Sequence, residues 1–220
     1  MGGEDTGERL TLLSRGMQAG MVGVALAGLL TGNFTWVQAA VIALFISTLP
    51  ILLRRNLKLV LPLELNFWVV LALFLHVVGG FSGFYDDVPG WDHLTHMMSA
   101  SLIAALGFVV VVSIDLYVRS ITLPRPFLAF FIVMFTMSIG VVWELVEFGN
   151  DQLTGSNLQY SLDDSMVDLM FDAFGGFIVA VLGVHYITAH RSPEQIAEEL
   201  NIHEARERAK EILRKRDRPE

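Results

Sequence analysis

The chain has no cysteine among its 220 residues. That excludes a disulfide framework, a thiolate metal site and a cysteine nucleophile, so any bound metal must be held by His, Asp or Glu. Charge is scarce as well: 17% of residues are charged against 53% hydrophobic, and mean hydropathy is +0.54. Soluble domains carry about 25% charged residues, so an ordinary soluble fold is excluded. Lys and Arg are the rarer sign, 15 against 23 acidic residues, for a formal net charge of −8. Nucleic acid is therefore not a partner, because binding it needs a basic face to neutralise phosphates. HExxH, GxSxG and P-loop signatures are missing too, which leaves no motif for zincin, α/β-hydrolase or P-loop chemistry.

What the chain does have is long apolar runs. A hydrocarbon core about 30 Å thick takes roughly 17 to 25 residues of helix at 1.5 Å rise. Six runs approach that length: Met17–Leu30, Trp36–Leu53, Phe67–Phe84, Leu94–Ile114, Phe127–Val142 and Met166–Ile187. None alternates with a period of two, as a membrane β-strand would. The pattern predicts an all-α polytopic membrane bundle of six transmembrane helices over residues 17–190. An N-terminal segment, 1–16, precedes it and a helical tail, 191–220, follows. The first run is short unless it extends back to Leu13 or on to Gly32. Lys58, Pro62 and Glu64 interrupt the stretch Asn56–Asn66, which reads either as an interfacial turn or as the first turns of the third span.

Every Lys and Arg falls in one of four stretches: Arg9 and Arg15; Arg54, Arg55 and Lys58; Arg119 and Arg125; and the tail from Arg191 to Arg218. These alternate with loops that carry no basic residue. By the positive-inside rule both termini are cytoplasmic, in a cytoplasmic (inner) membrane. Arg9, Arg15 and the later Ala25-Leu26-Ala27 also have the form of a cleaved signal peptide; the reading adopted retains the first span. In the tail, Ser192-Pro193-Glu194-Gln195 reads as a helix start, and Ile196, Leu200, Ile212 and Leu213 could dock on the bundle or a partner.

The informative residues are polar groups that hydropathy alone would not place beside apolar runs. Span four opens with Asp92, His93 and His96, span five runs out through Glu144 and Glu147, and span six carries Asp163, Asp164, Asp168 and Asp172. Alternating orientation brings all three clusters to the extracytoplasmic side. Their spacing makes one stripe per helix: Asp92 and His96 four apart, Glu144 and Glu147 three apart, Asp164, Asp168 and Asp172 on successive turns. A single ionised Asp at mid-helix costs about 2.5–3.5 kcal/mol on insertion scales, so these groups should face inward and be compensated. With no Lys or Arg on that side, the compensation is a bound cation, protons shared between carboxylates, or protonated His93 or His96. Asp86, Asp87, Asp92, Asp151, Asp163 and Asp164 also read as solvated loop or helix-start acids. His76 and His185 read as hydrogen-bonded packing residues.

On Trp91-Asp92-His93-Leu94-Thr95-His96, Trp143-Glu144-Leu145-Val146-Glu147-Phe148 and the stretch Asp164 to Gly176, the chain resembles the YjdF family of prokaryotic inner-membrane proteins, whose function is not established. More distantly it resembles VanZ-like membrane proteins. The likeness covers roughly Phe67 to Ile187 and implies a compact helical membrane domain with, by the VanZ analogy, an envelope-related role. Asp172 stands where the VanZ-like pattern has Asn, which makes this cluster more acidic. The expectation is a membrane-embedded, metal-assisted hydrolase or transferase acting on a lipid or envelope substrate, with the bilayer itself as its surroundings. Asp92, His96, Asp168 and Asp172 are the candidate ligands of a divalent cation, and Glu144 or Glu147 the candidate general base. The alternatives are a cation or proton transport protein, which would use the same stacked acids, and a membrane scaffold acting through its tail.

Overall fold

The computed structural model describes residues 2–117, 123–189, 195, 198 and 201–216. Those residues are helical with no strand among them, and six of the helices are long and apolar enough to cross a membrane. In chain order they are α1 (Gly2–Thr31), α2 (Phe34–Leu52) followed by a π-helical turn (Leu53–Leu57), α3 (Leu63–Ser82), the short α4 (Phe84–Asp87), α5 (Trp91–Tyr117), α6 (Arg125–Thr154), α7 (Leu162–Ala189) and α8 (Ile202–Arg216).

The helix ends follow local chemistry more closely than hydropathy does. Asn33 caps α2, its side chain accepting from the Trp36 N–H at 3.2 Å. The stretch Asn56–Asn66 resolves into a break: the π turn closes at Lys58, whose φ is 62°, and α3 begins after Pro62. Hydropathy ends span five at Val142, yet α6 continues to Thr154. Carboxylates do not interrupt a helix, since the ladder needs only backbone N–H and C=O groups. What stops α6 is Gly155, left-handed at φ 70° with its N–H donating to Asp151 O at 2.9 Å. At the N-terminus α1 begins at Gly2, so residues assigned to a leading segment are continuous with the first span.

The chain divides into two compact units. The first comprises residues 1–84 and 192–220, with Met21, Val24, Ala40, Ala43, Val70 and Val77 as its core and an edge-on Trp36–Phe81 contact at 5.0 Å. Gln18 and Ser47 meet between α1 and α2 at 3.0 Å, a polar pair that satisfies itself inside an apolar region. In this unit α8 packs on the π turn. Ile202 is buried, and Asn201 donates to Lys58 O at 3.1 Å, whereas Ile212 is exposed. Residues 192–194 and the side chains of Ile196, Leu200 and Leu213 lie outside the described residues.

The second unit, residues 85–191, is α5, α6 and α7 packed together. Its apolar core is Ala104, Ile132 and Ala180, small enough for close helix approach. Phe130, Leu145, Val146, Met170 and Phe177 point outward, while Thr95, His96, Thr136, Glu144, Asp168 and Asp172 are buried. Outward apolar groups around buried polar ones is the arrangement a hydrocarbon solvent favours.

Candidate functional site

Each helix of the second unit contributes a stripe to the same end of the unit, where α5 begins, α6 finishes and α7 begins. Asp92, His93 and His96 occupy the first turns of α5. Glu144 and Glu147 lie on the last third of α6, and Asp164, Asp168 and Asp172 on the first three turns of α7. His96, Glu144, Asp168 and Asp172 are each at most 7% exposed.

His96 is the meeting point. Its Nδ1 lies 3.3 Å from Asp172 Oδ1, and its Nε2 lies 3.7 Å from Asp92 Oδ1. The first is a hydrogen bond across helices; with Asp172 ionised and the imidazole neutral, Nδ1 would donate to it and Nε2 would hold the lone pair. The second separation is too long for a hydrogen bond. It is close to the roughly 3.4 Å between two ligand atoms that each sit about 2.1 Å from one tetrahedral ion. Ligand atoms of Asp92, His96 and Asp168 all lie within 4.8 Å of one another, as do those of His96, Glu144 and Glu147 and those of His93, Asp164 and Asp168. His93 Nδ1 is hydrogen-bonded to Asp168 Oδ1 at 2.8 Å, and its ring stacks on Phe171 with centroids 5.1 Å apart.

All six residues singled out from the sequence therefore gather around His96. Asp172 differs from the others in standing outside the three ligand groups, behind the imidazole on its Nδ1 side. That position depends on a missing side chain, because a Cβ on Gly140 would collide with Asp172 Oδ2. Asp172 Oδ2 and Glu144 Oε1 are buried without a hydrogen-bond partner, a cost of about 1–3 kcal/mol each unless something else compensates them. Neither 85–118 nor 126–190 contains a Lys or Arg to do so.

His93 and Asp164 belong to this cluster although the sequence did not single them out as ligands. The signal was present: His93 is one turn from His96, and Asp164 is one turn from Asp168. Gln159 carried no signal at all. Its side chain donates to Glu144 Oε2 at 3.1 Å from the loop between α6 and α7. Asp151 shapes that loop. Its Oδ1 accepts from Ser156 Oγ at 2.7 Å and from Leu158 N at 2.8 Å, and its Oδ2 accepts from Gln159 N at 2.9 Å. Asp151→Ala should cost about 1–2 kcal/mol of local order and open residues 155–161 to limited proteolysis; an unchanged cleavage pattern would contradict this role.

Two phenols border the cluster outside the spans. Tyr85 shares a 3.4 Å hydrogen bond with Thr95 Oγ1, and burial holds its hydroxyl above the ordinary tyrosine range. Tyr160 donates to Asp86 Oδ1 at 2.9 Å; burial and that carboxylate push it up to about 12. Both stay protonated at neutral pH and act as donors or packing groups, not as bases.

Residues 13–189 match a family described as "Predicted membrane protein (DUF2238)". The chain belongs to this family. Membership covers the six spans and the whole cluster, in line with the YjdF likeness. The chain is also similar to an uncharacterized protein of Thermotoga maritima. The two are 32% identical over 111 residues, 50% of this chain and 56% of that protein, so the match spans little more than half of the relative. No solved structure matches the chain.

Proposed function

We propose that the cluster is the divalent-cation centre of a membrane-embedded hydrolase or transferase, acting on a lipid or envelope substrate at the extracytoplasmic face of the inner membrane. The observation that carries this reading is the placement of His96 Nε2: 3.7 Å from Asp92 Oδ1 and grouped with Asp168, in a region without Lys or Arg. Asp92, His96 and Asp168 are the ligands in this reading, a mixed oxygen and nitrogen set suited to Zn²⁺, Mn²⁺ or Fe²⁺. Asp172 holds the imidazole from behind, as carboxylates behind metal-bound histidines do. A cation there would lower the pKa of a bound water, and Glu144, with its partnerless Oε1, or Glu147 would receive the proton.

The transport alternative needs a continuous polar route. Residues 97–114, 126–143 and 173–184 contain no Asp, Glu, His, Lys or Arg, so the ionisable chain ends at Asp172. A dead end suits a site better than a conduit.

Elemental analysis of the purified full chain tests the reading: stoichiometric Zn, Mn or Fe is expected. Metal-free protein with a chelator-insensitive melting curve would leave a cluster neutralised by shared protons. For the orientation, reporter fusions after Gly90 and after Gly155 should both read extracytoplasmic, and a cytoplasmic signal at either would reverse it.

A further inference from the structure

The three ligand groups are not equivalent. Two of them, Asp92–His96–Asp168 and His93–Asp164–Asp168, have only Asp168 in common, and each pairs one imidazole and one carboxylate with it. Helical spacing builds this duplication. His93 and His96 are one turn apart on α5, Asp164 and Asp168 are one turn apart on α7, and Asp92 and His93 are adjacent. Asp168 is 2% exposed and belongs to both groups. A carboxylate in that position can give one oxygen to each of two ions.

We infer that the centre holds two divalent cations bridged by Asp168, the second bound by His93 and Asp164. This rests on the metal reading given above and extends it from one ion to two. Charge supports the extension. Six carboxylates (Asp92, Glu144, Glu147, Asp164, Asp168 and Asp172) surround His93 and His96. Were all six ionised, one divalent ion would balance two of them and leave the rest in mutual repulsion, and a second ion would balance two more. The geometry of the second group also suits a cation. Two neighbouring ligand atoms about 2.1 Å from an octahedral ion lie about 3.0 Å apart. His93 Nδ1 and Asp168 Oδ1, now 2.8 Å apart around a proton, need to part by only a few tenths of an ångström. Paired ions in proteins sit about 3.5–4 Å apart, a separation that one bridging carboxylate spans.

The test is a titration of the metal-stripped, full-length chain in detergent with Mn²⁺ and, separately, Zn²⁺. Bound metal is counted per chain, and the Mn²⁺ form is followed by electron paramagnetic resonance. Two ions per chain and an exchange-coupled Mn²⁺ signal are expected. Asp164→Asn and His93→Ala should each reduce the count to one and turn the signal into that of isolated Mn²⁺. Asp164 is only half-buried in the first turn of α7, so its amide variant keeps the helix start intact. A count of one in the unmodified chain, or two uncoupled ions, overturns the bridge while leaving the single-ion centre standing. Two ions retained in both variants assigns the second ion elsewhere and overturns the inference as well. A count of zero with both metals removes the single-ion reading together with it.

Discussion

His96→Ala is expected to abolish binding of the ion assigned to Asp92, His96 and Asp168, together with the part of the response to chelators that depends on it. In the unmodified chain, a cation at a hundredfold excess over its Kd stabilises the folded state by about 2.7 kcal/mol, and a thousandfold excess by about 4.1 kcal/mol. Chelation should therefore lower the melting temperature measurably; in His96→Ala the curves with metal and with chelator should coincide for a one-ion centre and keep a reduced gap for a two-ion centre. The variant also strands Asp172 Oδ1, which now meets His96 Nδ1 at 3.3 Å, so its curves should lie below those of the unmodified chain. Asp172→Asn separates the metal reading from the shared-proton one by sign. If protons hold the cluster, removing a repelling charge is neutral or stabilising. If a cation does, the amide can donate to Nδ1 and drive the imidazole proton onto Nε2, weakening metal affinity by about 10–100-fold.

A single methyl group should do nearly as much damage from outside the cluster. Gly140 is buried on α6, and a Cβ there would occupy space held by the Asp172 carboxylate. Gly→Ala inside a helix ordinarily gains about 0.5–1 kcal/mol. Gly140→Ala should instead lose about 1–3 kcal/mol by overpacking. It should also displace Asp172 from His96 and so lower metal affinity. The double variant Gly140→Ala, Asp172→Ala relieves the collision, and a thermodynamic cycle should show a coupling of about 0.5–3 kcal/mol. Additive effects, or a Gly140→Ala protein that melts and binds metal like the parent, would show that the two residues are not in contact.

The six spans were legible because hydrocarbon imposes one rule on every helix that crosses it, and mean hydropathy reads that rule directly. Their ends were less so. Thr154 is a helix limit fixed by backbone hydrogen bonding and a left-handed glycine, to which hydropathy is blind. The stripes of Asp, Glu and His were legible for the same reason as the spans, since 3.6-residue periodicity converts sequence spacing into a face. Which imidazole a member of a stripe meets was not: Asp168 meets His93, and Asp172 meets His96. Asp172 and Asp168 are one turn apart, and the difference between them arises from ångström-scale contacts with α5 and from the absence of a side chain at Gly140. Gln159 lay beyond sequence reasoning altogether, because its reach to Glu144 depends on a loop shaped by Asp151. The tail shows the same limit: of the apolar residues singled out there, Ile212 is exposed and the side chains of the others lie outside the described residues, whereas Ile202 is buried.

The length of α6 has a consequence for where chemistry can occur. Thirty residues from Arg125 to Thr154 make a rod of about 45 Å, longer than a hydrocarbon core of about 30 Å and close to a bilayer including its headgroup zones. Measured inward from the helix ends, His96 lies five residues past Trp91, or about 8 Å, and Asp168 six residues past Leu162, or about 9 Å. Glu144, ten residues before Thr154, lies about 15 Å in. With the helix ends at the outer edge of the headgroup zone, these depths would straddle the boundary where glycerol backbones meet acyl chains. A molecule already resident in the leaflet can present its polar linkage at that level by lateral diffusion alone, whereas a water-soluble one would have to shed its hydration to descend there.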